Sequence, residues 1–166
     1  MAINSLGYLG ISSRNIAEWR TFGTQVLGLQ DVSTSISNGD DTVFLKIDDH
    51  PFRLFAQAGD ADQLSLIGWE TVSEQALLGV SERLTVAGTT WEWGSPELCT
   101  VRRVQSLISF RDPSGMQHEA FWGRVSDFAV FNSPVGVAGF VTGDQGLGHV
   151  VLPAAQFDDM AKFFSE

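Results

Sequence analysis

Leu6-Gly7-Tyr8-Leu9-Gly10-Ile11, near the start of the chain, returns near its end as Leu147-Gly148-His149-Val150-Val151-Leu152. Both are short apolar runs that open on Leu-Gly, and both stand ahead of an amphipathic segment. Laid over one another, Tyr8 falls on His149, Ile16 on Phe157 and Phe22 on Phe163. The second copy therefore carries an imidazole, a common metal ligand, where the first carries a phenol. Strand alternation puts Leu147, His149 and Val151 on one face.

Working outward, the first run reads as a strand over Leu6 to Ser12, followed by a helix. Ser13 or Asn15 can cap that helix, and Glu18 completes a capping box with Asn15. Ile16, Trp19, Phe22 and Val26 form its apolar stripe. Three short strands are expected at Leu29 to Ile36, Thr42 to Ile47 and Phe52 to Gln57. Asn38-Gly39-Asp40 and Asp48-Asp49-His50-Pro51 supply the turns. The same β-α-β-β-β order recurs: a strand at Leu64 to Trp69, then a helix that Thr71-Val72-Ser73-Glu74 opens as a capping box. Leu77, Val80 and Leu84 form the stripe of that helix, which ends near Val86 ahead of Gly88. Strands follow near Leu98 to Val101, at Val104 to Phe110 and at Met116 to Trp122, with a turn at Asp112-Pro113-Ser114-Gly115. The expected fold is α+β: tandem βαβββ modules forming a half-open barrel over residues 1–123. Residues 124–145 read as a crossover linker. Residues 146–166 open a third module, with a helix stripe of Phe157, Met160, Ala161 and Phe164, and stop before its remaining strands.

Composition narrows the function classes. A chain of 166 residues with 43% hydrophobic residues, 12 Phe and 5 Trp can bury a sizeable core. Its formal charge of -10 repels phosphate backbones, so nucleic acid is excluded as a partner. No apolar run approaches the roughly 20 residues of a membrane span, and no secretion signal is evident. The lone cysteine, Cys99, has no internal disulfide partner and fits a reducing compartment, so the expected location is cytoplasmic.

The serial βαβββ units resemble the vicinal oxygen chelate superfamily. Three stretches resemble, within it, the type I extradiol ring-cleaving dioxygenases that act on 2,3-dihydroxybiphenyl, dihydroxynaphthalene or catecholic steroids. They are Leu6 to Ile11 with Trp19 and Val26-Leu27-Gly28-Leu29, Phe110 to Gly115 through Glu119-Ala120-Phe121-Trp122-Gly123, and Phe140 to Leu152. The resemblance covers the whole chain but only the N-terminal half of such an enzyme. It implies a mononuclear Fe(II) held by two His and one Glu. His149 matches the first His, while the second His, the Glu and the acid/base residues have no counterpart among these 166 residues. Catalytic residues are therefore expected to be absent from this chain, which alone would be inactive. Catecholic substrate and O₂ would be its ligands. The missing C-terminal half or a second copy would be its partner, and a homo-oligomer is expected.

Other candidates are weaker. Val151 lies beside His149 on the expected strand and is a candidate wall of the substrate pocket, or plain core. His118 and Glu119 are strand neighbours, so at most one can face a given cavity. Glu119 stands where metal-binding relatives place a carboxylate, but its would-be partners are Tyr8, a residue near Arg53 and one near Leu66. The front barrel therefore reads as metal-free, with Glu119 in a structural or hydrogen-bonding role. His50 in its acidic turn reads as solvated, and Cys99 as unreactive. The Gly143-x-x-Gly146-x-Gly148 pattern precedes a strand, where a dinucleotide loop would follow one. The alternative function is a metal-free small-molecule-binding barrel of the same superfamily, of the antibiotic-sequestering type, for which residues 1–123 would suffice.

Overall fold

The computed structural model describes residues 2–37, 39 and 41–165. The turn expected at Asn38-Gly39-Asp40 lies largely outside them. The first module runs β1 (Ile3–Ser13), α1 (Ile16–Thr21), β2 (Gln30–Asp31), α2 (Ser33–Ile36), β3 (Thr42–Lys46) and β4 (Leu54–Ala58). The second runs β5 (Gln63–Thr71), α3 (Glu74–Val86), β6 (Trp91–Trp93), α4 (Pro96–Arg102), β7 (Ser106–Arg111) and β8 (Gln117–Trp122). The eight strands of the described residues form one open sheet in the order β2-β3-β4-β1-β5-β8-β7-β6. The tandem βαβββ architecture is as the sequence predicts.

An approximate two-fold axis between β1 and β5 relates the modules. These central strands are antiparallel, with Tyr8 opposite Gly68 and Gly10 opposite Leu66. On either side β4 and β8 run parallel to their neighbours, pairing Gly10 with Phe55 and Gly68 with Glu119. The symmetry thus matches Gly10 to Gly68, Tyr8 to Leu66 and Phe55 to Glu119. Aromatic rings of the concave face require these glycines: a Cβ at Gly68 would lie 2.2 Å from the Tyr8 ring.

Alternation divides the core between the two faces. The convex face of the second module packs Ile108, Phe110 and Ala120 against Leu77, Val80 and Leu84 of α3. These three are buried as the stripe predicts, each contributing about 1.5–3 kcal/mol. Across the first module Val43, Leu45 and Ile47 meet Ile16 and Trp19 of α1. Tyr8, Phe44, Phe52, Phe55, Leu66, Leu107 and Phe121 fill the concave face.

Two short helices depart from the expected pattern, and they occupy matching places. Where a strand was expected over Leu29 to Ile36, only Gln30–Asp31 is extended and α2 follows. The Asp31 carboxylate accepts both the Ser33 amide and the Ser33 hydroxyl, turning the chain there. Leu98 to Val101, expected as a strand, is α4, and the strand is Trp91–Trp93. Ser95 caps α4 by accepting the Leu98 amide, with Pro96 in the first turn, a start signal the strand reading overlooked. Val32 just before α2 and Ile36 on it, with Leu98 and Cys99 on α4, cover the concave face.

The caps are simpler than the boxes predicted. Asn15 accepts the Glu18 amide. On α3 the cap is Ser73, not Thr71, whose hydroxyl instead donates to the Phe121 carbonyl. After Thr21 the first helix widens into a π turn over Phe22–Val26. The wider turn rotates the stripe off the sheet, leaving Phe22 and Val26 exposed.

Residues 124–145 cross the first module and end in a 3₁₀ turn at Gly143–Gln145. The strand expected over Leu147 to Leu152 is not formed. Gly146 makes a single parallel bridge to Leu6, and the pairing goes no further along β1. An isolated strand has no ladder to hold it. Helix α5 (Phe157–Ser165) folds back on the front barrel. Met160 is buried and Phe163 packs on Phe110 and His118, whereas Phe157 and Phe164 stay largely exposed. No helix of the described residues is long and apolar enough to cross a membrane.

Candidate functional site

Inside the front barrel the polar groups close on one another. The Tyr8 hydroxyl donates to Glu119 Oε2 at 2.5 Å. Arg102, at the end of α4, grips the same carboxylate with Nε to Oε2 at 2.8 Å and Nη2 to Oε1 at 3.2 Å. Its guanidinium lies 4.4 Å from the centroid of the Phe55 ring. Burial, and then the neighbouring Glu119 charge, raise the Tyr8 pKa well above its ordinary value, so the phenol stays protonated and donates. A cation already sits beside the carboxylate, and aromatic rings fill the remaining space. This packing gives Glu119 the hydrogen-bonding role read for it. Sequence reasoning missed Arg102 because the strand expected there gave it no place.

His118 is buried on the opposite, convex face, as strand alternation requires. Trp69 Nε1 donates to its Nδ1 at 2.9 Å, which places the proton on Nε2, and Nε2 faces Asp112 Oδ2 at 3.1 Å. Both ring nitrogens are therefore committed within the fold.

His50 corrects an expectation. It was read as solvated, yet it is 4% exposed. Its Nε2 lies 3.8 Å from Glu70 Oε2. Burial, with the Arg53 and Arg124 charges, pushes its pKa down to about 3. Ligand atoms of Asp48, Asp49 and His50 come within 4.8 Å of one another. The two arginines that depress His50 also oppose a cation there, and Asp48 is taken by Arg53 through bonds of 2.8 and 2.6 Å.

These groups set an acid limit on stability. The folded pKa of His50 lies below its unfolded value, so the unfolded chain binds more protons as pH falls beneath about 6.5. Stability is complete above that pH and declines toward the folded pKa. Between about pH 7 and about pH 5 His50 alone is expected to remove about 2 kcal/mol. Burial lowers His118 as well, against the opposing pull of Asp112, and acts in the same direction. Guanidinium unfolding at the two pH values measures the loss, and His50→Gln should shrink it. An unchanged midpoint in the wild-type chain would contradict this.

The remaining candidates, His149 and Val151, lie in the irregular segment after the 3₁₀ turn. Both are exposed. Among the described residues no hydrogen bond or ion pair engages His149. The segment is tied to the barrel just upstream, where the Leu147 amide donates to the Leu6 carbonyl at 3.0 Å. One free imidazole suits a metal such as iron. A facial triad needs a second His and a carboxylate, and no described neighbour of His149 supplies them.

Fold and site define a vicinal oxygen chelate module pair with a closed polar interior and one uncommitted histidine beyond it. Residues 6–59 match the family model described as dihydroxybiphenyl dioxygenase BphC D1. The chain is 39% identical over 166 residues to an iron-dependent extradiol dioxygenase of Rhodococcus jostii, covering all of this chain and 54% of that protein. It is 40% identical to a 3-methylcatechol 2,3-dioxygenase of Pseudomonas putida, again over its whole length and over 56% of the relative. The crystal structure of BphC, a halotolerant catechol dioxygenase, superposes with a TM-score of 0.91 at 32% identity, covering 98% of this chain and 54% of that one. A manganese-bound glyoxalase from Novosphingobium aromaticivorans shares the fold, with a TM-score of 0.74 at 15% identity. The chain is thus similar over its whole length to part of several extradiol ring-cleaving dioxygenases, and spans about half the length of the curated relatives it matches.

Proposed function

We propose that a protein carrying this chain as its front half is an Fe(II)-dependent extradiol dioxygenase that opens catecholic rings with O₂. Dihydroxybiphenyl-, dihydroxynaphthalene- or steroid-type catechols are its substrate class. The observation that carries this reading is the similarity of the whole chain to about half of several extradiol dioxygenases; the Gly-His motif at His149 supports it. In this assignment residues 1–123 are scaffold and oligomer contact, 124–145 a crossover, and 146–166 the start of the catalytic module. The protein works in the cytoplasm as a homo-oligomer. His149 binds the iron through a neutral imidazole, its exposed ring having no competing partner. Val151, two residues on, lines the catechol pocket once strand pairing orders the segment. The iron contributes the open coordination positions of a facial triad, where catechol and O₂ can meet. Arg102, Glu119 and Tyr8 stay outside the chemistry and hold the scaffold rigid.

Ligand count makes the test direct. The 166-residue chain, incubated anaerobically with Fe(II) and then given 2,3-dihydroxybiphenyl and air, should form no yellow ring-opened product. The longer protein should form it, with both oxygen atoms of ¹⁸O₂ entering the product. Ring cleavage by the chain alone at enzyme-like rates would overturn the assignment.

A further inference from the structure

We propose that the Asp48–Arg53 pair positions His149, by locking the Gly146–Leu147 link onto the central strand β1. This role rests on the iron-ligand reading of His149. The geometry is a clamp with three parts. Arg53 is 2% exposed, and its Nη1 donates to the Gly7 carbonyl at 2.9 Å and reaches the Leu6 carbonyl at 3.5 Å. Asp48 Oδ2 fixes the same guanidinium from behind through Nε and Nη2. A rigid, forked donor of this kind suits one fixed orientation better than lysine would.

Gly146 is the part that is clamped. It sits at φ 63° and ψ -126°, a conformation that side chains resist. A Cβ there would lie 2.2 Å from the Leu6 carbonyl oxygen and 3.2 Å from Arg53 Nη1. The backbone therefore presses directly on the carbonyl edge that Arg53 holds. Leu6 O accepts from both Arg53 and the Leu147 amide, so the guanidinium and the link share one acceptor. His149 follows two residues after Leu147.

The same turn also grips the start of the crossover. The Asp127 amide donates to the Asp49 carbonyl at 2.8 Å, and Arg124 pairs with Asp49 at 3.2 Å and with Glu70 at 3.3 Å. Lys46, fully buried on β3, holds Asp127 Oδ2 at 2.5 Å and the Ala129 carbonyl at 2.9 Å. Residues 48–53 thus fasten the start of the crossover directly, and reach its end through the Leu6 carbonyl that Arg53 and the Leu147 amide share. That arrangement sets the front barrel's register against the segment that presents His149.

Metal affinity and amide exchange read this directly. In the iron-free longer protein, Arg53→Met and Gly146→Ala should each weaken Fe(II) affinity by about 10- to 100-fold, as for loss of groups that orient a ligand. Leu77→Ala, which loosens the core under α3, should lower the unfolding midpoint and leave the affinity unchanged. In the 166-residue chain the Leu147 amide should be protected from hydrogen exchange. Arg53→Met should remove that protection, and His149→Ala should keep it. If Arg53→Met does not fold, Gly146→Ala, which perturbs only the seam, decides. Wild-type affinity in Gly146→Ala, beside loss of iron in His149→Ala, would overturn the clamp and leave the ligand standing. Full iron in His149→Ala would instead overturn the ligand assignment and this role with it.

Discussion

His149→Ala in a protein that carries this chain as its front half is expected to empty the iron site and abolish ring cleavage. A facial triad has three protein donors, and removing one leaves a site that cannot compete for Fe(II). The loss should exceed the roughly 10- to 100-fold typical of disturbing an outer-shell partner. Iron per chain and oxygen uptake with 2,3-dihydroxybiphenyl measure it. Replacing either of the other two histidines of this chain, His50 or His118, should leave the iron in place, for a structural reason. His118 spends both ring nitrogens on Trp69 and Asp112. His50 is buried among Arg53, Arg124 and Asp48. Their variants should lose stability and keep metal. A His118→Asn protein that folds but lacks iron, beside a His149→Ala protein that retains it, would reverse the assignment.

Arg102→Met is expected to cost about 3–5 kcal/mol of stability, because it strands Glu119 among aromatic rings with only the Tyr8 hydroxyl as partner. Glu119 is 2% exposed, so water cannot replace the guanidinium without opening the barrel. Tyr8→Phe should cost less, about 1.5–3 kcal/mol, since one donor to a charged group is lost while Arg102 remains. Replacing Arg102 and Glu119 together with apolar residues of similar size should recover most of the deficit, as removing both members of a buried pair often does. Denaturant unfolding of the three proteins orders the effects. A wild-type midpoint in Arg102→Met would mean that Glu119 has a partner other than the one the geometry shows.

Much of the fold was legible because local signals and burial agreed. Asn15 and Ser73 cap helices where hydrophobic stripes begin, and Leu77, Val80 and Leu84 face inward at helical spacing. The failures share a cause: short elements decided by side-chain hydrogen bonds rather than periodicity. Asp31 and Ser33 turn the chain into α2, and Ser95 with Pro96 starts α4, within apolar runs that look extended. That second failure hid Arg102, which only a helix end brings to Glu119. His50 looked exposed because its neighbours in sequence are acidic, whereas folding brings Arg53, Glu70 and Arg124 around it. The third-module strand failed for a different reason. Its apolar pattern is sound, but pattern cannot supply a neighbouring strand. For the site, the histidine motif was legible, and the link that holds it was not. Gly146 signals a tight entry, but nothing in the sequence pairs it with Arg53.

In the proposed enzyme this chain is a scaffold whose Glu119 is already held by Arg102, with the iron ligand His149 beyond it. Anaerobic Fe(II) titration of the 166-residue chain by calorimetry tests it most directly. No saturable binding of one ion per chain is expected, with or without His149. Stoichiometric Fe(II) binding that disappears on Glu119→Gln would place a metal inside the front barrel and contradict it.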